Sequence, residues 1–283
     1  MSAEAMQTAA GFVQELAGDL NRGNLELPMI PDSVVRIQRA FGAGEVDIDE
    51  IVRIISSDPA IVARVLQLAN SSAIRGAVEI KEVRQAVIRM GNKLVQSSVV
   101  AFALSQAQKH EDLSKESQAA LKTIWEESVE MAALCYVIAK HHTKLNADEA
   151  LLMGLLSVIG RLYIFLKSEE FGTIDYTEME PILAAWHPAI SKAIAESWGM
   201  SEAIVEALET QMDTDPPLHE SATQAEVLSS ARVIFDYGQS GEPLDASQYP
   251  LLHRLGIANH DDSEFTMEAH AEAIDEIRRS FRA

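Results

Sequence analysis

The apolar residues of this chain recur at helical spacing almost from end to end, and that pattern restricts the possible folds more than any other feature. Leu121, Ile124, Trp125, Ser128, Ala132, Cys135 and Ile138 step at offsets of three and four, which places them on one helix face. Val83, Ala86, Val87 and Met90 repeat the pattern, as do Leu152, Leu155, Leu156 and Ile159. No segment shows the strict apolar–polar alternation with β-branched residues that marks a half-buried strand. The expected fold is all-α, a multi-helical bundle. Its core must be aliphatic, because aromatic residues are only 6% of the chain while 47% is hydrophobic.

Start and stop signals agree with that reading. Asp58-Pro59 looks like an N-cap followed by proline in the first turn, opening a helix through Ala69. Asn146 with Glu149 is a capping-box variant, and Ser201-Glu202 opens another helix just after Gly199. The breaks at Gly42 to Gly44, Ser71 to Gly76, Gly91 and His110 to Ser114 are short, which favours a compact bundle. A longer break, Asp-Thr-Asp-Pro-Pro from Asp213 towards Leu218, suggests a boundary, and residues 238–263 read as loop-rich. Beyond it Met267, His270, Ile274, Ile277 and Phe281 share one helix face, so a terminal helix should dock on the rest.

Charge and cysteine content narrow the function. The net charge is −20, from 43 acidic and 23 basic residues. A surface this negative repels nucleic-acid backbones and anionic lipid, so neither is an expected partner. The single Cys135 excludes an internal disulfide and a cysteine-based zinc site, and its neighbours mark it as a small buried hydrophobe. Met1 to Ala10 has neither a basic nor an apolar signal region, and no run approaches the roughly 18 uninterrupted apolar residues of a membrane span. A cytoplasmic protein is expected.

Two segments then carry a family resemblance. The first runs Leu27-Pro28-Met29-Ile30-Pro31, Ile54-Ile55-Ser56-Ser57-Asp58-Pro59, Val65-Leu66-Gln67-Leu68-Ala69-Asn70-Ser71 and Gln85-Ala86-Val87-Ile88-Arg89-Met90-Gly91. The second is Gly154-Leu155-Leu156-Ser157-Val158-Ile159-Gly160-Arg161-Leu162. Together, over about Leu25 to Met212, they resemble the HDOD domains, bacterial signalling modules related in fold to HD phosphohydrolases. The resemblance implies a domain over residues 25–212, with an N-terminal helical part (25–105) and an HD-like part (121–212). It would be preceded by a helical extension (1–24) and followed by another (213–283). Independently of any family, Pro28 and Pro31 stiffen the entry to the bundle. Asn70 could cap frayed carbonyls or take a left-handed terminus, and Gly154 and Gly160 would permit close helix packing.

The second segment also bears on catalysis. HD phosphohydrolases hold metal with an early His, an adjacent His-Asp pair and a later Asp, a donor set that generates a nucleophilic water. Here the pair aligns with Ser157 and Val158, the early His falls near Trp125 to Ser128, where Glu127 stands instead, and the late Asp falls near Ser229 to Arg232. Valine offers no donor, and an arginine opposes a cation. The implication is a vestigial pocket of Glu127, Ser157, Val158, Arg161, His187 and Arg232, with no metal, no cofactor and no catalytic residues. Arg161 could hold an anion where a metal once sat, or form a surface salt bridge. His187, before Pro188, resembles a histidine that the family carries at a helix start. Of the other histidines, the neighbours His141 and His142 stand roughly 100° apart on a helix and seldom share an ion. His110, His219, His253 and His260 lie in loop-like segments. No P-loop, dinucleotide fingerprint or nucleophile elbow is present. The expected function is regulatory binding of a signalling protein or small ligand. The alternative is a divergent metal-dependent phosphohydrolase.

Overall fold

A computed structural model describes residues 3–23, 25, 27, 30–42, 47–71, 74, 78–107, 113–171, 176–217, 219–240, 244–258 and 270–282. Among these residues the architecture is all helical with no strand. Pro28, Met29, Gly76, His110, Leu218, His260 and Met267 lie outside them. In chain order the helices are α1 (Ala3–Arg22), α2 (Asp32–Gly42), α3 (Ile48–Ser56), α4 (Pro59–Ala69), α5 (Val83–Ala107), α6 (Lys115–His142) and α7 (Ala147–Leu156). They continue as α8 (Ile159–Phe171), α9 (Tyr176–Ser197), α10 (Glu202–Glu209), α11 (Gln224–Ser240), α12 (Pro250–Arg254) and α13 (Ala271–Arg282). The stretch read as loop-rich thus holds the end of α11, a short 3-10 turn (Ala246–Gln248) and α12.

Caps explain several boundaries. Asp58 accepts hydrogen bonds from the Ala60 and Ile61 amides at 3.0 and 3.4 Å, with Pro59 in the first turn where its missing N–H costs nothing. Asn146 accepts from the Glu149 amide at 3.0 Å. The Glu149 side chain does not close a capping box; it meets Lys93 and the Ser201 hydroxyl instead. Ser201 occupies the N-cap of α10 without a side-chain cap bond. Gly91, expected as a break, is a kink inside α5: its φ of 72° is left-handed, and the helix resumes beyond it. Asn70 does not take the left-handed terminus (φ −103°). Its amide donates to Leu66 and Ile80 carbonyls at 3.0 and 2.8 Å, and its Oδ1 accepts from the Ile80 amide at 2.8 Å.

α6 is the central helix, packed on α7, α11 and α13, while α5 joins α2, α3 and α4 to α7. α6 and α7 touch backbone to backbone, since a Cβ on Gly154 would stand 2.6 Å from Ala132 Cα. At Gly160 a Cβ would meet the His187 carbonyl oxygen at 2.1 Å, so only glycine lets α8 approach α9 there. The run Ala147–Phe171 is long and apolar enough to cross a membrane by composition, yet 89% of its most apolar 18-residue window is buried inside the bundle. α1 docks on α8 and α9, where the Tyr163 hydroxyl donates to Asp19 at 2.5 Å. α13 buries Ile274, Ile277 and Phe281. It is clasped twice, by Arg278 on Glu130 of α6 and by Arg64 of α4, whose Nη2 donates to the Phe281 carbonyl at 2.7 Å.

Candidate functional site

Four helices deliver charged or titratable side chains to one buried region beside α6. Glu127 sits mid-helix on α6, turned inward, and is only 5% exposed. Arg161 follows the α7–α8 turn, and its Nη1 donates to Glu127 Oε2 at 2.5 Å. Arg232, on the inner face of α11 and equally buried, donates from Nη1 to Glu127 Oε1 at 2.6 Å. One carboxylate is therefore shared by two guanidiniums, one bond to each oxygen.

His187 completes the region from α9. It does not start a helix; α9 runs through it and through Pro188. The imidazole is buried, and its Nδ1 has no hydrogen-bond partner. Burial first, then the charges of Arg232 and Arg161, push its pKa down to about 3, so the ring is neutral near pH 7. At the outer edge, Asp236 lies one turn beyond Arg232. Desolvation lifts its carboxyl above the usual range, with Arg232 opposing and Glu127 adding to the rise. Cys135, fully buried, has its thiol pushed upward by burial.

The aligned pair behaves differently. Ser157 caps α7 and donates its hydroxyl to the Gly154 carbonyl at 2.8 Å, so it is engaged in its own helix end. Val158 is fully buried in the turn. Gly160 donates its amide to Ser191 Oγ of α9 at 3.0 Å, fixing the position from which Arg161 projects. Arg161 is no surface bridge: its side chain is 24% exposed and its partner is buried. Of the sequence candidates, Glu127, Arg161 and Arg232 thus meet directly and His187 stands within their field, whereas Ser157 and Val158 shape the turn.

Beside this cluster opens a cavity of about 650 Å³, walled among others by Glu127, Arg161, Leu134, Phe235, Gly238 and Arg278. Small-molecule pockets are commonly of this size, roughly 300–1,000 Å³. Two of these lining residues, Phe235 and Arg278, were not singled out by periodicity or motif. Their only sequence signal was position: Phe235 three residues after Arg232, and Arg278 beside the apolar face of α13. A histidine cluster was also missed: the His270 ring stacks on His141 at 4.4 Å and stands edge-on to His142. Among the described residues, no three His, Cys, Asp or Glu side chains converge so as to hold a metal.

The HDOD domain family model matches residues 27–214. The chain belongs to the HDOD domain family. Solved structures share its fold. An HDOD domain protein of unknown function from Geobacter sulfurreducens is 24% identical, with a TM-score of 0.60 over 94% of this chain and 96% of that one. A Shewanella amazonensis protein named, provisionally, as a metal-dependent phosphohydrolase is 22% identical, with a TM-score of 0.71 over 97% and 99%. At such identities the likeness shows fold alone. Among curated proteins, the cyclic di-GMP phosphodiesterase CdgJ of Vibrio cholerae is 28% identical over 138 residues, 47% of this chain and 29% of that protein. An uncharacterized Treponema pallidum protein is 23% identical over 200 residues, 65% and 37%. The HDOD chain spans about a third of the length of the curated relatives it matches.

Proposed function

We propose that this HDOD chain is a non-catalytic bacterial signalling module that works by binding a protein or small ligand, its HD-type site having lost metal ligands. The supporting observation is the Glu127 cluster. Glu127, the buried carboxylate near the position of the family's early histidine, is neutralised by Arg161 and Arg232, both within hydrogen-bond distance. A divalent ion there would face two guanidiniums and one shared carboxylate, the reverse of what cation binding needs. Ser157 and Val158 add one engaged hydroxyl and no further donor. The rival reading, a phosphohydrolase, draws support from the names of the Vibrio and Shewanella relatives, and it would require ligands from other residues.

The deciding experiment loads the purified protein with manganese, iron or magnesium, then measures bound metal by elemental analysis and hydrolysis of a generic phosphodiester and of cyclic di-GMP. The expected result is sub-stoichiometric metal and no turnover above background. Metal-dependent turnover that disappears in Glu127→Ala or His187→Ala would overturn the proposal.

A further inference from the structure

The buried cluster is not balanced in hydrogen bonds. Its one buried carboxylate, Glu127, is shared by two guanidiniums, Arg161 and Arg232, while His187 beside them is neutral and Asp236 faces both arginines only from the exposed edge. Arg232 uses only Nη1. Its Nε and Nη2, which form the side-on fork suited to a carboxylate, are buried without a hydrogen-bond partner, as is the Ser229 hydroxyl one turn earlier on α11, although the guanidinium lies over the Phe235 ring at 5.6 Å. Arg161 gives Glu127 a single bond, and the guanidinium also borders the 650 Å³ cavity.

Resting on the reading of a non-catalytic binding module, we infer that the cavity takes one oxyanion, the phosphoryl or carboxylate group of a small molecule, on Arg161. Glu127 is the internal stand-in for that anion. When the ligand takes Arg161, the carboxylate is free to turn wholly onto Arg232, whose Nε and Nη2 can donate to it side-on. Every charge is then paired: ligand with Arg161, Glu127 with Arg232. The other acids lining or bordering the cavity limit the ligand's charge. Glu130 is held by Arg278 and Glu126 lies 3.8 Å from Lys122, while Asp236 stands at the edge. These carboxylates repel a polyanion such as a nucleic-acid strand and tolerate a single anionic group. Leu134, Ile234, Phe235 and Ile274 give the remainder of the cavity an apolar wall, which suits a small organic body attached to the anion.

The test titrates the full chain with inorganic phosphate, and separately with a nucleoside monophosphate, against chloride at equal ionic strength. Saturable binding is expected, weakened roughly tenfold or more in Arg161→Gln, which removes the charge and the fork. Equal affinity for the two probes assigns the site to the anionic group alone; tighter binding of the nucleotide assigns the apolar wall a share. Should Arg161→Gln fail to fold, Gly238→Trp serves: Gly238 lines the cavity and a Cβ there meets nothing within 4 Å. That variant is expected to lose nucleotide binding while keeping every charge. No saturable binding of either probe, or wild-type binding by a folded variant, overturns the inference. Absence of binding without turnover leaves the module reading intact, whereas metal-dependent turnover removes that reading itself.

Discussion

At the end of α4, the Asn70 side chain donates to the Leu66 and Ile80 carbonyls and accepts from the Ile80 amide, all within ten residues of itself. At the middle of α6, Glu127 accepts from Arg161 and Arg232, 34 and 105 residues away. Both side chains tie separate segments together, but by opposite means. Asn70 is a neutral, half-exposed clamp whose partners are backbone groups, so it works wherever the local chain turns as it does. Glu127 is a buried charge whose partners are side chains from distant helices, and it is satisfied only when α6, α8 and α11 are all in place. The first holds a loop; the second reports assembly of the bundle.

The largest expected difference between the two comes from truncating each. Glu127→Ala leaves two guanidiniums facing each other, and removing one partner of a buried ion pair costs about 3–5 kcal/mol. Chemical denaturation should show a loss of that order. A variant as stable as wild type would mean the cluster carries no structural burden. Asn70→Ala should cost less, about 1–3 kcal/mol, because its partners can regain water. Asn70→Asp sharpens the point: it keeps the bond from the Ile80 amide but turns a carboxylate oxygen onto the Leu66 and Ile80 carbonyls, and should be no more stable than alanine. If Asn70→Ala proves the more damaging of the two truncations, the contrast between local clamp and buried charge collapses.

The third expected effect is in pH, smallest when read over a single unit below the ordinary histidine range, and of the two regions it belongs to the charged one. His187 has a folded pKa near 3, below the unfolded value of about 6.5. The unfolded chain therefore binds the proton first, and stability is lost as pH falls from about 6.5 towards 3. Over the first unit below 6.5 the loss attributable to this one group should be about 1 kcal/mol. His187→Gln should remove it from the stability–pH curve, while Asn70→Ala should shift that curve without changing its slope.

The same contrast separates what the sequence discloses from what it withholds. Asp58-Pro59, the Asn146 cap and the inward face of α6 follow from neighbours a few residues apart, so spacing and propensity reveal them. Gly91 shows the limit of that approach, since a left-handed glycine can kink a helix or end it, and only tertiary packing chooses. Gly154 and Gly160 could be named for close packing from the apolar run, but their partners, Ala132 and the His187 carbonyl, come from other helices. The family motifs point to Glu127, Ser157, Val158, Arg161, His187 and Arg232 as one pocket, whereas Ser157 is engaged in its own helix end and Val158 in the turn. They did not reveal that one carboxylate would be divided between two arginines, nor that His187 would lie mid-helix. The clasp of Arg278 on Glu130 and the stacking of His270 on His141 had no local signature, because each joins α6 to the far end of the chain.

That far end also bears on the order in which the molecule assembles. Arg64 reaches the Phe281 carbonyl across 217 residues of sequence. Contacts between such distant segments form slowly, since a long loop must close before they contribute. Until α13 arrives, the Arg64 guanidinium keeps its shell of water and the apolar flank of α6 is bare. Docking of α13 is then the step that dehydrates the arginine and covers the flank together, so it is suited to being the last to form and the first to open.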